Sequence, residues 1–151
     1  MQSSCGRTAI TWIINRHNRL TANVIRLKPM WNPISLQDLN ALIIESFSEL
    51  DVVQDRLWRA IKIAPAKWDL HPWGDEGGGF WAVGLIGRNV IWYNDIEDGF
   101  NISSFSTYGV IDAYYCNQGS LQPVMYDLTQ WLMAGDVPSS RLGPPEPISE
   151  P

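Results

Sequence analysis

Phe80-Trp81-Ala82-Val83-Gly84-Leu85-Ile86, then Gly87-Arg88-Asn89, then Val90-Ile91-Trp92-Tyr93-Asn94: two apolar runs face each other across a three-residue connection that contains glycine. The runs are rich in β-branched and aromatic residues, which suit a pleated and buried surface, and the connection is short enough to turn the chain back on itself. That combination predicts a β-hairpin, and a hairpin makes the sheet antiparallel. Both faces of the two strands are apolar, so the pair belongs at the centre of a sheet covered on both sides. Gly84 inside the first strand marks a bulge or a close backbone approach.

Working outward, Asn94 to Gly99 is an acidic turn, Phe100 to Phe105 a third strand and Val110 to Cys116 a further one. Ser120 caps a last helix in which Leu121, Val124, Met125, Leu128, Trp131 and Leu132 share a face. Gly135 ends it. On the other side, Trp68 to Gly79 is a loop. Ile61 to Ala64 alternates like a short strand that Pro65 either stops or confines to a sheet edge. Before it, Asp51 caps a helix carrying Leu57, Trp58 and Ile61, with Asp55 and Arg59 paired at i, i+4. Ser35, with Asp38 three residues on, opens a helix over 36–49 whose apolar positions are Leu36, Leu39, Ile43, Phe47 and Leu50. Two helices, four to five strands and one helix, with no β-α-β alternation, make an α+β domain over 31–134.

The chain has 151 residues, 45% of them hydrophobic, and a net charge of −5. Residues 1–37 carry five basic groups and no acidic one, so the rest, with six basic and sixteen acidic groups, stands at −10. An acidic body repels phosphate backbones and suits a basic protein partner instead of nucleic acid. The basic segment 1–30 has the composition of a transit peptide, but the switch of charge sign favours an upstream extension ahead of a start at Met30. Its apolar run Ala9–Ile14 is too short for a membrane span, and no other segment approaches that length. Residues 136–151 hold five of the ten prolines, which makes 135–151 a disordered tail. Two cysteines without a secretory signal read as reduced thiols in a cytoplasmic protein. A homodimer covering an extra apolar face is a further arrangement the sequence allows.

The chemical motifs are thin. Gly74-Asp75-Glu76-Gly77-Gly78-Gly79 carries two carboxylates where a phosphate loop needs a lysine, and a strand follows it. Asn94 to Gly99 lacks the ligand pattern of an EF-hand, because Ile96 and Phe105 stand at ligand positions. Cys116 lacks a credible histidine partner and reads as a small buried hydrophobe, and the Cys and His residues cannot build a zinc site. The sequence therefore points to no catalytic residue, no metal and no cofactor. What remains is five carboxylates, Asp75, Glu76, Asp95, Glu97 and Asp98, in two loops at one end of the hairpin, beside His71, Trp68, Trp73, Trp92 and Tyr93. A solvated loop cluster over core tryptophans is the plainest reading. Next comes an anionic recognition surface on which Trp73 or Tyr93 is an exposed anchor. Last is a tryptophan-lined pocket for a glycan or small molecule, in which Glu76 or Glu97 serves as general acid of a hydrolase.

The stretches Trp73–Trp81, Trp92–Asn101 and Cys116–Gln118 resemble small uncharacterised bacterial proteins and, more loosely, acidic α+β toxin-immunity proteins of the SUKH type. That resemblance covers about a third of the chain. It implies a non-catalytic binding protein, a sheet flanked by helices that recognises a partner.

Overall fold

The computed structural model of the protein describes residues 31–135 and Gly143. The basic segment expected over 1–30 and the tail expected over 135–151, apart from Gly135 and Gly143, lie outside the described residues. The chain partitions into residues 1–32 and 33–151, and the architecture below is that of the second unit.

Two helices open it. In α1 (Leu36–Ser46) the Ser35 hydroxyl accepts from the Asp38 N–H at 3.1 Å, which satisfies one of the amides left free at a helix start. The last turn tightens into a 3-10 turn at Phe47–Glu49, so the helix expected over 36–49 is α1 plus that turn. In α2 (Val52–Ile61) Asp51 and Gln54 cap each other, the side chain of each accepting the other's N–H at 2.8 and 3.1 Å. Asp55 and Arg59 form the expected pair at 2.9 Å.

The chain passes without a loop from α2 into β1 (Lys62–Trp68), and β2 (Phe80–Ile86), β3 (Asn89–Asn94) and β4 (Gly99–Ser104) follow. The sheet is antiparallel in the order β1-β2-β3-β4, so the hairpin that organises the sequence is central. Its strands pair Trp81 with Tyr93 and Ile86 with Asn89, which leaves only Gly87 and Arg88 in the turn, one residue fewer than expected. Gly84 fulfils both of its readings. The register shifts between Ala82 and Gly84, and a Cβ there would sit 3.2 Å from Trp58 Cζ3. Pro65 does not end β1. It lies within the register shift between Lys62 and Ala66 on an edge strand, where a missing N–H breaks no ladder.

One face of the sheet packs on α1, α2 and α3 (Leu121–Ala134) through Leu39, Trp58, Ile91, Phe100, Met125 and Leu128. The other buries Trp68, Phe80, Trp92, Ile111 and Tyr114 beneath irregular chain. Val110 to Cys116 is not a strand: its one ladder contact is an isolated parallel bridge between Asp69 and Val110. The segment crosses the sheet face, held at its start by Ile111 N–H to Asp69 O at 2.9 Å and Asp112 N–H to Ser104 O at 3.0 Å, and beyond them by side chains of the sheet. Ser103 Oγ donates to Ala113 O at 2.8 Å, Asn94 Nδ2 donates to Tyr115 O at 3.0 Å, and Asn117 N donates to Asn101 Oδ1 at 3.1 Å. Cys116 is half-buried, not a core residue, and its thiol donates to Gly143 O at 3.3 Å. Leu132, expected on the buried stripe of α3, is exposed. Among the described residues no helix is long and apolar enough to cross a membrane.

Candidate functional site

The acidic turn between β3 and β4 is built from Asn94, which is wholly buried. Its Oδ1 accepts the N–H groups of Ile96 and Glu97 at 3.1 and 3.3 Å, so the side chain stands in for a backbone turn. Asp98 follows with φ of 55°, the left-handed region that aspartate tolerates better than most residues. Gly99 then has no room for a side chain, since a Cβ would lie 1.9 Å from Asn117 O.

The five carboxylates expected to form one surface do not act alike. Asp95 is 7% exposed, and its Oδ2 accepts the Ile34 N–H at 2.9 Å at the entry to α1. Burial pushes its carboxyl above the ordinary range, against the opposing pull of that N–H bond and of Lys67. It is therefore an internal tie and not part of a recognition surface. Lys67 is engaged as well: its Nζ donates to Gly79 O at 2.9 Å and lies 4.7 Å from the centroid of the Trp81 ring. Glu97 is half-buried and accepts from Gln118 Nε2 at 3.2 Å. Asp75, Glu76 and Asp98 are exposed.

Tyr93 is not an exposed anchor. It is 5% exposed, edge-on to Phe100, because strand alternation turns it with Ile91 toward the helices. Its phenol is pushed up to about 12, first by burial and then by Asp98 and Asp95. Trp73 is 38% exposed and stacks on Tyr114 with ring centroids 4.6 Å apart. Asp75 pairs with His71 at 2.7 Å. The sheet thus divides the expected patch: Trp73, with Asp75 and Glu76 close by in sequence, adjoins the irregular layer, whereas Tyr93 packs on the helical side. Trp58, Trp68 and Trp92 are buried in the core, and Trp58 also lines a cleft of about 590 Å³ with Ile43, Ile44, Phe47 and Pro65.

A cleft that the sequence did not reveal opens on the helical side. It holds about 240 Å³ and is lined by Glu45, Ser46, Glu49, Tyr93, Asp98 and Ser120, with Leu42 and Phe100 as apolar wall. Ser120 does not cap its own helix with its side chain; its hydroxyl donates to the Glu49 carboxylate instead. The available signal was that Glu45 and Glu49 follow Leu42 at i+3 and i+7, on the flank of α1 that turns toward the core. No Lys, Arg or His occurs in residues 29–55 or 89–140, which supply every wall of the cleft. The three carboxylates do not surround one point: among the described residues no group of three His, Cys, Asp or Glu side chains could hold a metal ion. Such a site can attract and orient an extended cation.

Compared with protein-family models, curated proteins and solved structures, the chain matches none of them.

Proposed function

We propose that the protein is a non-catalytic binding domain that recognises a basic protein partner through the acidic end of its sheet. The bacterial, cytoplasmic and immunity-like character implied by the SUKH-type resemblance belongs to the same proposal. The observation that carries it is the charge layout. Residues 33–135 hold five Lys and Arg against thirteen Asp and Glu, and the cation at that end, Lys67, is bound to Gly79 O. Exposed Asp75 and Glu76 on one side and Asp98 with Glu97 on the other then give a one-signed field. Such a field steers a basic partner and speeds its encounter. The glycan-binding alternative needs several tryptophans at one pocket wall, and Trp68 and Trp92 are buried in the core.

The test uses the full chain as bait in extract of its native host at low salt. The expected result is one stoichiometric basic protein that is released as salt rises. Glu97→Lys with Asp98→Lys, or Asp75→Lys with Glu76→Lys, should slow its association by about tenfold and reduce the salt dependence. Capture that is indifferent to both pairs of charge reversals would refute the assignment.

A further inference from the structure

We propose that the larger cleft, between α1, the junction of α2 with β1, and β2, binds a small amphiphilic anion: an apolar chain with one negatively charged head. It shares no residue with the acidic end, and the proposal stands apart from the partner suggested there. The walls are Ile43, Ile44 and Phe47 from α1 and its closing turn, Ile63 and Pro65 from β1, and Val83 from β2. Ile44 and Phe47 stand at i, i+3 and are exposed, so apolar surface continues from the cleft onto its lip. An apolar face alone would leave its occupant open, but this one carries a donor and a charge. Trp58 forms part of the wall, and its Nε1–H is buried with no acceptor among the described residues. Buried indoles ordinarily have one. Cζ3 is the ring atom nearest Gly84, which leaves the N–H edge on the far side of the ring from that glycine. Among the described residues that line the cleft, Lys62 alone is charged.

Charge and size narrow the ligand. Residues 52–68 carry Arg56, Arg59, Lys62 and Lys67 against one carboxylate, Asp55, which Arg59 occupies. The rest of residues 33–135 carries one cation and twelve carboxylates, so this stretch is where the domain favours an anion. Lys62 follows Trp58 by four residues, one helical turn on, and makes no ion pair among the described residues. An anionic head drawn to its ammonium therefore arrives at the turn that holds the unpartnered indole N–H and brings the acceptor it lacks. A volume of about 590 Å³ falls within the roughly 300–1,000 Å³ of small-molecule sites, which are mostly apolar with a few polar groups to fix orientation. A partner strand is a poor occupant, because Pro65 and the register shift between Lys62 and Ala66 interrupt the edge of β1 with which it would pair.

The experiment titrates the full, isotopically labelled chain with decanoate at neutral pH, below the concentration at which it aggregates, beside decanol and decyltrimethylammonium, and reads amide and indole N–H shifts. Decanoate should move the Trp58 indole and the amides of Ile44, Ile63 and Val83 saturably. It should bind more tightly than the decyltrimethylammonium cation, although the chain as a whole carries −5. Octanoate should bind about tenfold more weakly than decanoate, having two methylenes fewer against the wall. Lys62→Gln should weaken decanoate by about fivefold and leave decanol unchanged. Ile44→Ser, at an exposed position, should weaken both alike, with the urea midpoint showing that each variant is folded. Equal or tighter binding of the cation, or a Lys62→Gln variant that takes decanoate as well as wild type, would overturn the inference. So would a Trp58 indole that stays still, shifts spread over the whole spectrum, or binding to vesicles of anionic phospholipid by a chain that ignores monomeric decanoate. A dimer that forms in sedimentation and shifts the same amides without any amphiphile would make a second copy the occupant, and would overturn it as well.

Discussion

Replacing Gly99 by alanine places a methyl group 1.9 Å from Asn117 O, 2.7 Å from Asn117 C and 2.8 Å from Gln118 Cα. A comfortable carbon–oxygen contact is about 3.3 Å or more, so one backbone must withdraw by over an ångström. Neither side of the contact is a side chain that could rotate away. The displaced chain would strain Phe100 N–H to Gly119 O at 3.0 Å and Asn117 N–H to Asn101 Oδ1 at 3.1 Å. Losing two such bonds costs about 1 kcal/mol each, and overpacking adds about 1–3 kcal/mol, for a destabilisation of about 3–5 kcal/mol. In a domain of this size that lowers Tm by on the order of 15 °C. Urea unfolding followed by tryptophan fluorescence and far-UV circular dichroism measures it. Gly87→Ala is the control, because Gly87 has φ of +56° with nothing within 4 Å, and only the backbone preference is at stake, about 1 kcal/mol. A Gly99→Ala variant no less stable than Gly87→Ala would refute the claim that the turn and the 113–119 segment are in rigid contact.

Asp95→Asn tests the buried tie. Because burial raises the Asp95 carboxyl, the folded protein holds that proton more tightly than the unfolded chain. This favours folding most at low pH and fades as pH rises through the folded value. Asparagine keeps an oxygen for the Ile34 N–H and has no such dependence. The variant should therefore gain stability relative to wild type as pH rises from about 3 to about 7, and a relative loss over that range would contradict the assignment. Ser103→Ala removes a hydroxyl that accepts from Trp92 Nε1 at 2.9 Å and donates to Ala113 O at 2.8 Å. Two buried groups lose their partner, so urea unfolding should show a loss of about 2–3 kcal/mol, and a loss under about 0.5 kcal/mol would count against the bridge.

Features decided by near neighbours were legible in the sequence. Ser35 and Asp51 cap helices with amides three residues away, Gly84 marks a bulge inside a hairpin whose two halves are adjacent, and Gly135 ends α3 with φ of +74°. Val110 to Cys116 shows the limit. Its apolar residues announce burial correctly for Ile111 and Tyr114, but whether a backbone meets another backbone or a side chain depends on elements distant in the chain. Tyr93 fails for a related reason: a tyrosine beside an acidic turn looks exposed until the sheet register sets it with Ile91 against the helices. The acidic site was grouped by which loops flank one hairpin. Four of the nine residues lining the cleft, Glu45 and Glu49 among them, come from α1 and its closing 3-10 turn, which tertiary packing brings to Asp98 from some fifty residues away.

The layer over Trp92 is fastened at every second residue, 113, 115 and 117, by Ser103, Asn94 and Asn101, and in each case the covering segment contributes only a main-chain group. A carbonyl or an amide is the same whatever side chain its residue carries. Substitutions at Ala113, Tyr115 and Asn117 that preserve the backbone path leave those fastenings intact, proline at 117 excepted. Substitutions at Asn94, Asn101 or Ser103 remove them outright. The hydrogen-bonding side chains at these three points thus belong to the sheet, while the layer adds the buried Ile111 and Tyr114 to the core. The platform fixes the path of the covering segment through its main chain, and that path sets Tyr114 beneath Trp73.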